Sequence, residues 1–141
     1  ILRSDIIWAK LNPMPESCTD RPTMSHEYIF LFAKNQKYYY NHEIIMEQTI
    51  GSEYAKRNKR DVWNVKVASY PEAHCATFPM ELITPCIKAG SPEGGLVLDP
   101  FMGSGTVAQA AKQLSRKYTG CELNPDYYKI INNRLKQQEL F

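Results

Sequence analysis

The sequence predicts an α/β domain with a mostly parallel sheet and an antiparallel hairpin, and three observations carry that reading. The first is the apolar run Gly95-Leu96-Val97-Leu98, which has the length and content of a buried strand and stops at Asp99-Pro100. The second is the change of period behind it. Val107, Ala108, Ala110, Ala111 and Leu114 recur at helical spacing, and Tyr118-Thr119-Gly120-Cys121-Glu122 then supplies another strand. A strand, helix and strand joined in this way make a right-handed crossover with parallel strands. The third observation lies near the start, where Ile6-Ile7-Trp8 and His26-Glu27-Tyr28-Ile29-Phe30-Leu31-Phe32-Ala33-Lys34 are both strand-like. The loop between them holds Pro13 and Pro15, which exclude regular structure, so the two strands pair as a hairpin.

At 141 residues the chain is long enough for one domain with its own core. The net charge of +2 is too small to identify a nucleic-acid partner, so any basic surface must be local. Cys18, Cys75, Cys86 and Cys121 form no C-x-x-C pair and read as reduced thiols of a cytoplasmic protein, without a disulfide framework or a metal site. No run is long and apolar enough to span a membrane. The chain starts in strand-like sequence without Met, which leads to the expectation that the natural polypeptide begins earlier.

The chemistry concentrates at Asp99-Pro100-Phe101-Met102-Gly103-Ser104-Gly105-Thr106, a turn between the carboxyl end of a strand and the start of a helix. Open α/β sheets bind ligands at that place. Gly103 and Gly105 allow a sharp turn and a close ligand approach, and the Asp99 carboxylate can accept hydrogen bonds from ligand amines or hydroxyls. A G-x-G turn alone is shared by many dinucleotide-binding proteins. The wording around it resembles the D-P-F-x-G-S-G-T cofactor motif of the S-adenosylmethionine-dependent DNA amino-methyltransferases, which act on adenine N6 or cytosine N4. The resemblance implies a Rossmann-like methyltransferase fold whose glycine turn passes close to the methionine part of the cofactor. It extends over nearly the whole chain, in the permuted order that places the target-base strands before the cofactor motif.

Within that resemblance the chain is one methyltransferase domain in three parts. Residues 1–40 are the target-base-side hairpin, 41–62 a short DNA-recognition insert and 63–141 the cofactor-binding half. Tyr28, Phe30 and Phe32 alternate on one strand face. Enzymes that modify a base flip it out of the duplex onto aromatic or apolar walls. Tyr28 is the candidate for that pocket, Phe30 and Phe32 read as core, and His26 either closes the loop, the favoured reading, or contacts a DNA phosphate. Tyr38-Tyr39-Tyr40 reads as a short strand or edge, and Glu43 to Gln48 as a helical turn. Lys56, Arg57, Lys59 and Arg60 put four positive charges in five residues, which suits contact with double-stranded DNA through its phosphates better than a solvated loop.

Asp61-Val62-Trp63-Asn64-Val65 reads as a strand leading to Tyr70-Pro71-Glu72-Ala73-His74-Cys75-Ala76-Thr77-Phe78-Pro79. This segment resembles the family's A-H-x-A-T-F-P motif, which implies an approach to the cofactor opposite the glycine turn. His74 is then a cofactor-adjacent hydrogen-bonding group, and Phe78 packs on the cofactor. Thr77 and Pro79 suit the cap and first turn of a helix ended by Ala89-Gly90. Glu122 falls 17 residues after Gly105, close to the spacing at which an acid meets ribose hydroxyls. Asn124 and Pro125 open the closing helix.

The family's catalytic motif, Asp, Asn or Ser followed by Pro-Pro and Tyr or Phe, occurs nowhere in the sequence. The resemblance places it upstream of residue 1, on strands between the cofactor strand and the hairpin. No catalytic residue is therefore assigned to this chain. An upstream segment of the same protein, or a second chain, is needed to complete the sheet. Two other readings stay open: an inactive fragment that binds cofactor or DNA or assists assembly, and a nicotinamide-dependent enzyme using the same turn. The look of the 26–34 and 74–79 segments leans towards adenine as the target base.

Overall fold

The computed structural model describes residues 1–51, 53–67 and 77–137, with Gln137 described by its backbone alone. His74 and Cys75, read above as a cofactor contact and a thiol, lie outside the described residues. The hairpin forms as expected. Strand β1 (Leu2–Lys10) pairs antiparallel with β2 (His26–Phe32), with Ile7 opposite Tyr28 and Trp8 opposite Glu27. After a 3-10 turn at Glu43–Ile45, two short strands, β3 (Glu47–Gln48) and β4 (Lys56–Arg57), pair antiparallel. Strand β5 (Val62–Val65) then returns to run parallel to β1 on the side away from β2, with Trp63 opposite Trp8. Helix α1 (Met80–Gly90) leads to β6 (Leu96–Asp99), α2 (Thr106–Gln113), β7 (Lys117–Gly120) and α3 (Pro125–Gln137). β6 and β7 are parallel, as the crossover requires.

Among the described residues three small clusters of buried apolar residues result, and the two that α1 touches are these. Trp8, Trp63, Val65 and Leu82 form one. The indole N–H groups of Trp8 and Trp63 donate to the carbonyls of Val65 (2.8 Å) and Arg60 (2.6 Å), so each ring is buried with its polar edge satisfied. Ile87, Val107, Ala110 and Ala111 form the other. Helix α1 serves both with adjacent stripes. Leu82 and Cys86 face the hairpin sheet, while Met80, Ile83 and Ile87 face α2.

Several sequence expectations are corrected. Phe30 and Phe32 are not core: they are 53% and 66% exposed. Ile29, on the opposite face of β2, is the residue that packs against Trp8 and Leu82, leaving Tyr28, Phe30 and Phe32 as a row of neighbouring rings on the uncovered face. Tyr38–Tyr40 is not a strand; Tyr38 instead bonds Arg3 at 3.1 Å, and Asn41 N–H donates to the Ala89 carbonyl. Thr77 makes no capping bond, because Pro79 occupies the cap position with an extended backbone and the helix starts at Met80. Pro85 sits inside α1, where it withdraws an N–H from the helix ladder.

Among the described residues no ladder joins the β2-β1-β5 sheet to the β6-β7 pair. Between them runs a groove with α1 as its floor. A hollow of about 310 Å³ follows β6 and is lined by Ile83, Cys86, Gly90 and Leu96–Asp99. A second, of about 120 Å³, lies against Ile29–Leu31 of β2 and again reaches Cys86 and Gly90. Leu96 and Leu98 are largely exposed beside the groove. Burial pushes the Cys86 thiol up to about 11, partly offset by the charge of Lys59, so it acts as neutral filler there.

Candidate functional site

The site is built at the carboxyl end of β6. Asp99 Oδ1 accepts the Phe101 N–H at 3.0 Å, a local turn that tips the chain out of the strand. Met102 N–H donates to the Cys121 carbonyl (2.9 Å) and Gly105 N–H to the Met102 carbonyl (2.8 Å). Gly105 lies at φ +81° and caps α2, a backbone conformation that L side chains rarely adopt. Glu122 closes the turn from just beyond the end of β7. Its Oε2 accepts the Gly103 N–H at 2.7 Å and its Oε1 the Asn124 N–H at 2.8 Å. One carboxylate therefore ties the glycine turn to the start of α3, a role that spacing alone did not reveal.

Two adjoining hollows flank the turn and share Phe101. One, of about 330 Å³, is lined by Pro100, Phe101, Cys121, Glu122 and Leu123. Phe101 and Leu123 stand 87% and 99% exposed around it. The other, of about 100 Å³, is lined by Thr77, Phe78 and Tyr127 with Phe101–Ser104 and Thr106. Most of the expected cofactor residues are thus gathered around the two. Asp99 instead lines the groove beside β6. Gly105 rests on Ile131, Pro79 caps α1, and Asn124 Oδ1 accepts the Asp126 N–H as the cap of α3. The side chains of Ser104 and Thr106 are almost completely buried and turn towards α3, so their hydroxyls brace the turn from within.

A separate hollow of about 190 Å³ is lined by Trp8, Glu27, Ile29, Leu82 and Phe78, and Tyr28 borders it from β2 with its ring turned to the opposite strand face beside Phe30. Phe78 lines this hollow as well as the 100 Å³ one. It is the residue at which the candidate base side and the candidate cofactor side meet.

The sequence reading missed two supports. Gly120 carries no side chain where a Cβ would fall 2.5 Å from both the Asp99 carbonyl oxygen and the Met102 sulfur. Tyr128 Oη donates to the Glu122 carbonyl at 2.7 Å. Gly120 has no local sequence signal because Asp99 and Met102 reach it from the neighbouring strand and turn, and Tyr128 makes its bond only once the first turn of α3 folds back over Glu122.

The four cations divide. Glu47 Oε1 accepts from Arg57 Nε at 2.9 Å and Arg60 Nε at 2.8 Å, and Lys59 Nζ sits 4.9 Å from the Trp63 ring centre. Burial opposes the Glu47 charge, but the bonds from Arg60 and Arg57 outweigh it and hold its carboxyl below the usual range. A depressed carboxyl keeps its bonds at neutral pH and loses them only as pH falls through that lowered value. Glu47→Gln should release both guanidinium groups. In a salt titration of non-specific duplex binding, the variant should bind more tightly, with a log–log slope steeper by about 1–2. An unchanged slope would show that Arg57 and Arg60 do not meet phosphate.

Among the described residues no group of three or more His, Cys, Asp or Glu side chains could hold a metal ion. No helix among them is long and apolar enough to cross a membrane.

Residues 1–133 match the DNA methylase family of N6/N4 methyltransferases. The chain is 51% identical over 138 residues to the type II methyltransferase M.Cfr9I of Citrobacter freundii, covering 98% of this chain and 45% of that protein. It is 49% identical over 137 residues to M.XycI of Xanthomonas campestris pv. cyanopsidis, with 97% and 45% covered. The chain thus spans about half the length of these relatives. Among solved structures, the M1.HpyAVI–SAM complex superposes with a TM-score of 0.68 at 28% identity, covering 96% of this chain and 62% of that one. The cytosine-N4-specific PvuII DNA methyltransferase superposes with a TM-score of 0.77 at 20% identity, a likeness of fold, covering 92% and 49%. The chain belongs to the N6/N4 DNA methylase family.

Proposed function

We propose that this chain supplies the S-adenosylmethionine site and part of the base pocket of a DNA amino-methyltransferase. The observation that carries the reading is the pair of hollows flanking the glycine turn, with Glu122 in one and Phe78 linking the other to Tyr28. The residues present fit the cofactor. Glu122 offers carboxylate oxygens to ribose hydroxyls, and Phe101 and Leu123 are exposed apolar surfaces suited to an adenine ring. The short glycine turn suits the methionine part, Thr77 adds a polar group beside it, and Asp99 offers its carboxylate from the groove along β6. The bound cofactor would supply an activated methyl group. This chain's own part is to orient the cofactor and, through Phe78 and Tyr28, to receive a base flipped from double-stranded DNA. Lys56, Arg57, Lys59 and Arg60 would hold the duplex by its phosphates.

The groove over α1 is the place for the strands that complete the sheet. Their source is an upstream segment of the same protein or a second chain. Its exposed leucines and unjoined strand edges support that reading, since such edges seek partners. The acceptor is the exocyclic amino group of a base. The sequence leans to adenine N6 over cytosine N4, and identifying the methylated nucleoside in digested DNA decides between them. The type II description of the relatives supports a modification role beside a restriction nuclease, in the cytoplasm where the DNA is.

The test is calorimetric titration with S-adenosylmethionine, run beside Asp99→Ala and Asp99→Asn. Saturable binding that Asp99→Ala abolishes supports the reading. Asp99→Asn keeps an oxygen for the Phe101 N–H and should weaken binding less than Asp99→Ala. Folded protein that binds nothing would defeat it.

A further inference from the structure

The Gly103-Ser104-Gly105 turn has a mechanical weakness. Both glycines hold positive φ, at +50° and +81°, and two such residues in three leave the free backbone with many alternatives. Something must fix Ser104 between them. Helix α3 does so from behind. Ile131 packs under Gly105, where a Cβ would meet its Cγ1 at 3.1 Å. One turn further, Arg134 Nη1 donates to the Ser104 carbonyl (2.9 Å), the Ser104 hydroxyl (2.8 Å) and the Thr106 hydroxyl (3.3 Å). Its Nη2 donates to Gln109 Oε1 at 2.6 Å, anchoring the same fork to α2. Ser104 and Thr106 are only 4% and 5% exposed, so these bonds form out of reach of competing water.

We infer that Arg134 is a positioning residue: by gripping Ser104 through main chain and side chain together, it pre-organises the glycine turn for the methionine end of the cofactor. The inference rests on the functional reading above. A planar guanidinium can serve several acceptors at fixed angles, whereas a lysine offers one point charge. Pre-organisation raises affinity by removing an ordering cost that binding would otherwise bear. The effect should fall on the part of the ligand that meets the turn, and little on the nucleoside beside Glu122.

The experiment compares S-adenosylmethionine with 5′-methylthioadenosine, which keeps the nucleoside and sulfur but lacks the amino-acid end. In calorimetry, Arg134→Gln should weaken S-adenosylmethionine by about tenfold or more and methylthioadenosine by less than about threefold. Arg134→Lys should show the same selectivity at smaller size, and it reads the ratio if the glutamine variant does not fold. Equal losses for both ligands would make Arg134 a general fold support and overturn the inference. So would unchanged affinity for both, with the functional reading left standing. If the unsubstituted protein bound neither ligand, that reading would fall and take the inference with it.

Discussion

Gly120→Ala should destabilise the protein by about 2 kcal/mol and loosen the cofactor turn at the same time. The added methyl would lie 2.5 Å from the Asp99 carbonyl oxygen and the Met102 sulfur. Neither can retreat freely. The Asp99 carbonyl accepts the Cys121 N–H at 3.0 Å, so moving it breaks the end of the β6–β7 ladder. Met102 is tied by its N–H to Cys121, and its side chain packs on the cluster of Ala108, Ile131 and Leu135. Urea unfolding measures the loss. Combining Gly120→Ala with Met102→Ala should recover only part of it, because the main-chain obstacle remains. Full recovery would show that the thioether alone set the limit.

Glu122→Gln should lower S-adenosylmethionine affinity at least tenfold, equivalent to about 1.5–3 kcal/mol for charge-assisted bonds. The carboxylate accepts two main-chain N–H groups, from Gly103 and Asn124, one on each oxygen. An amide can present an oxygen to only one of them and sets an NH₂ against the other. The substitution therefore disturbs the turn and removes the anionic acceptor offered to ribose hydroxyls. Calorimetry on the folded variant gives the number. Affinity equal to the unsubstituted protein would reduce Glu122 to a loop clasp and place the ribose elsewhere.

Much of this architecture was legible in local sequence because it depends on local chemistry. The Gly95–Thr106 run encodes strand, turn and helix within a dozen residues, and Asn124-Pro125 marks a helix start by its own side chains. The hairpin was legible from two apolar runs about a proline loop. What escaped was set by packing across the chain. Alternation placed Tyr28, Phe30 and Phe32 together, but only the position of α1 decides which face of β2 is covered. The cluster of cations was visible, yet the pairing of Arg57 and Arg60 with Glu47 needed the β3–β4 ladder to bring residues ten and thirteen apart together. Nothing near Arg134 in sequence points to Ser104, thirty residues away.

The two stripes of α1 have a thermodynamic consequence. Each core it serves is small: two tryptophans, Val65 and Leu82 on one side, and Ile87 with the α2 face on the other. Cores of that size hold a fold only marginally by themselves. A shared helix makes them one melting unit, because unravelling either side withdraws the wall of the other. A truncation such as Leu82→Ala, at a cost of about 2–5 kcal/mol, would therefore be felt at the glycine turn although Leu82 packs with the hairpin. Hydrogen exchange would see it as lost protection in β6 and α2 as well as in β1.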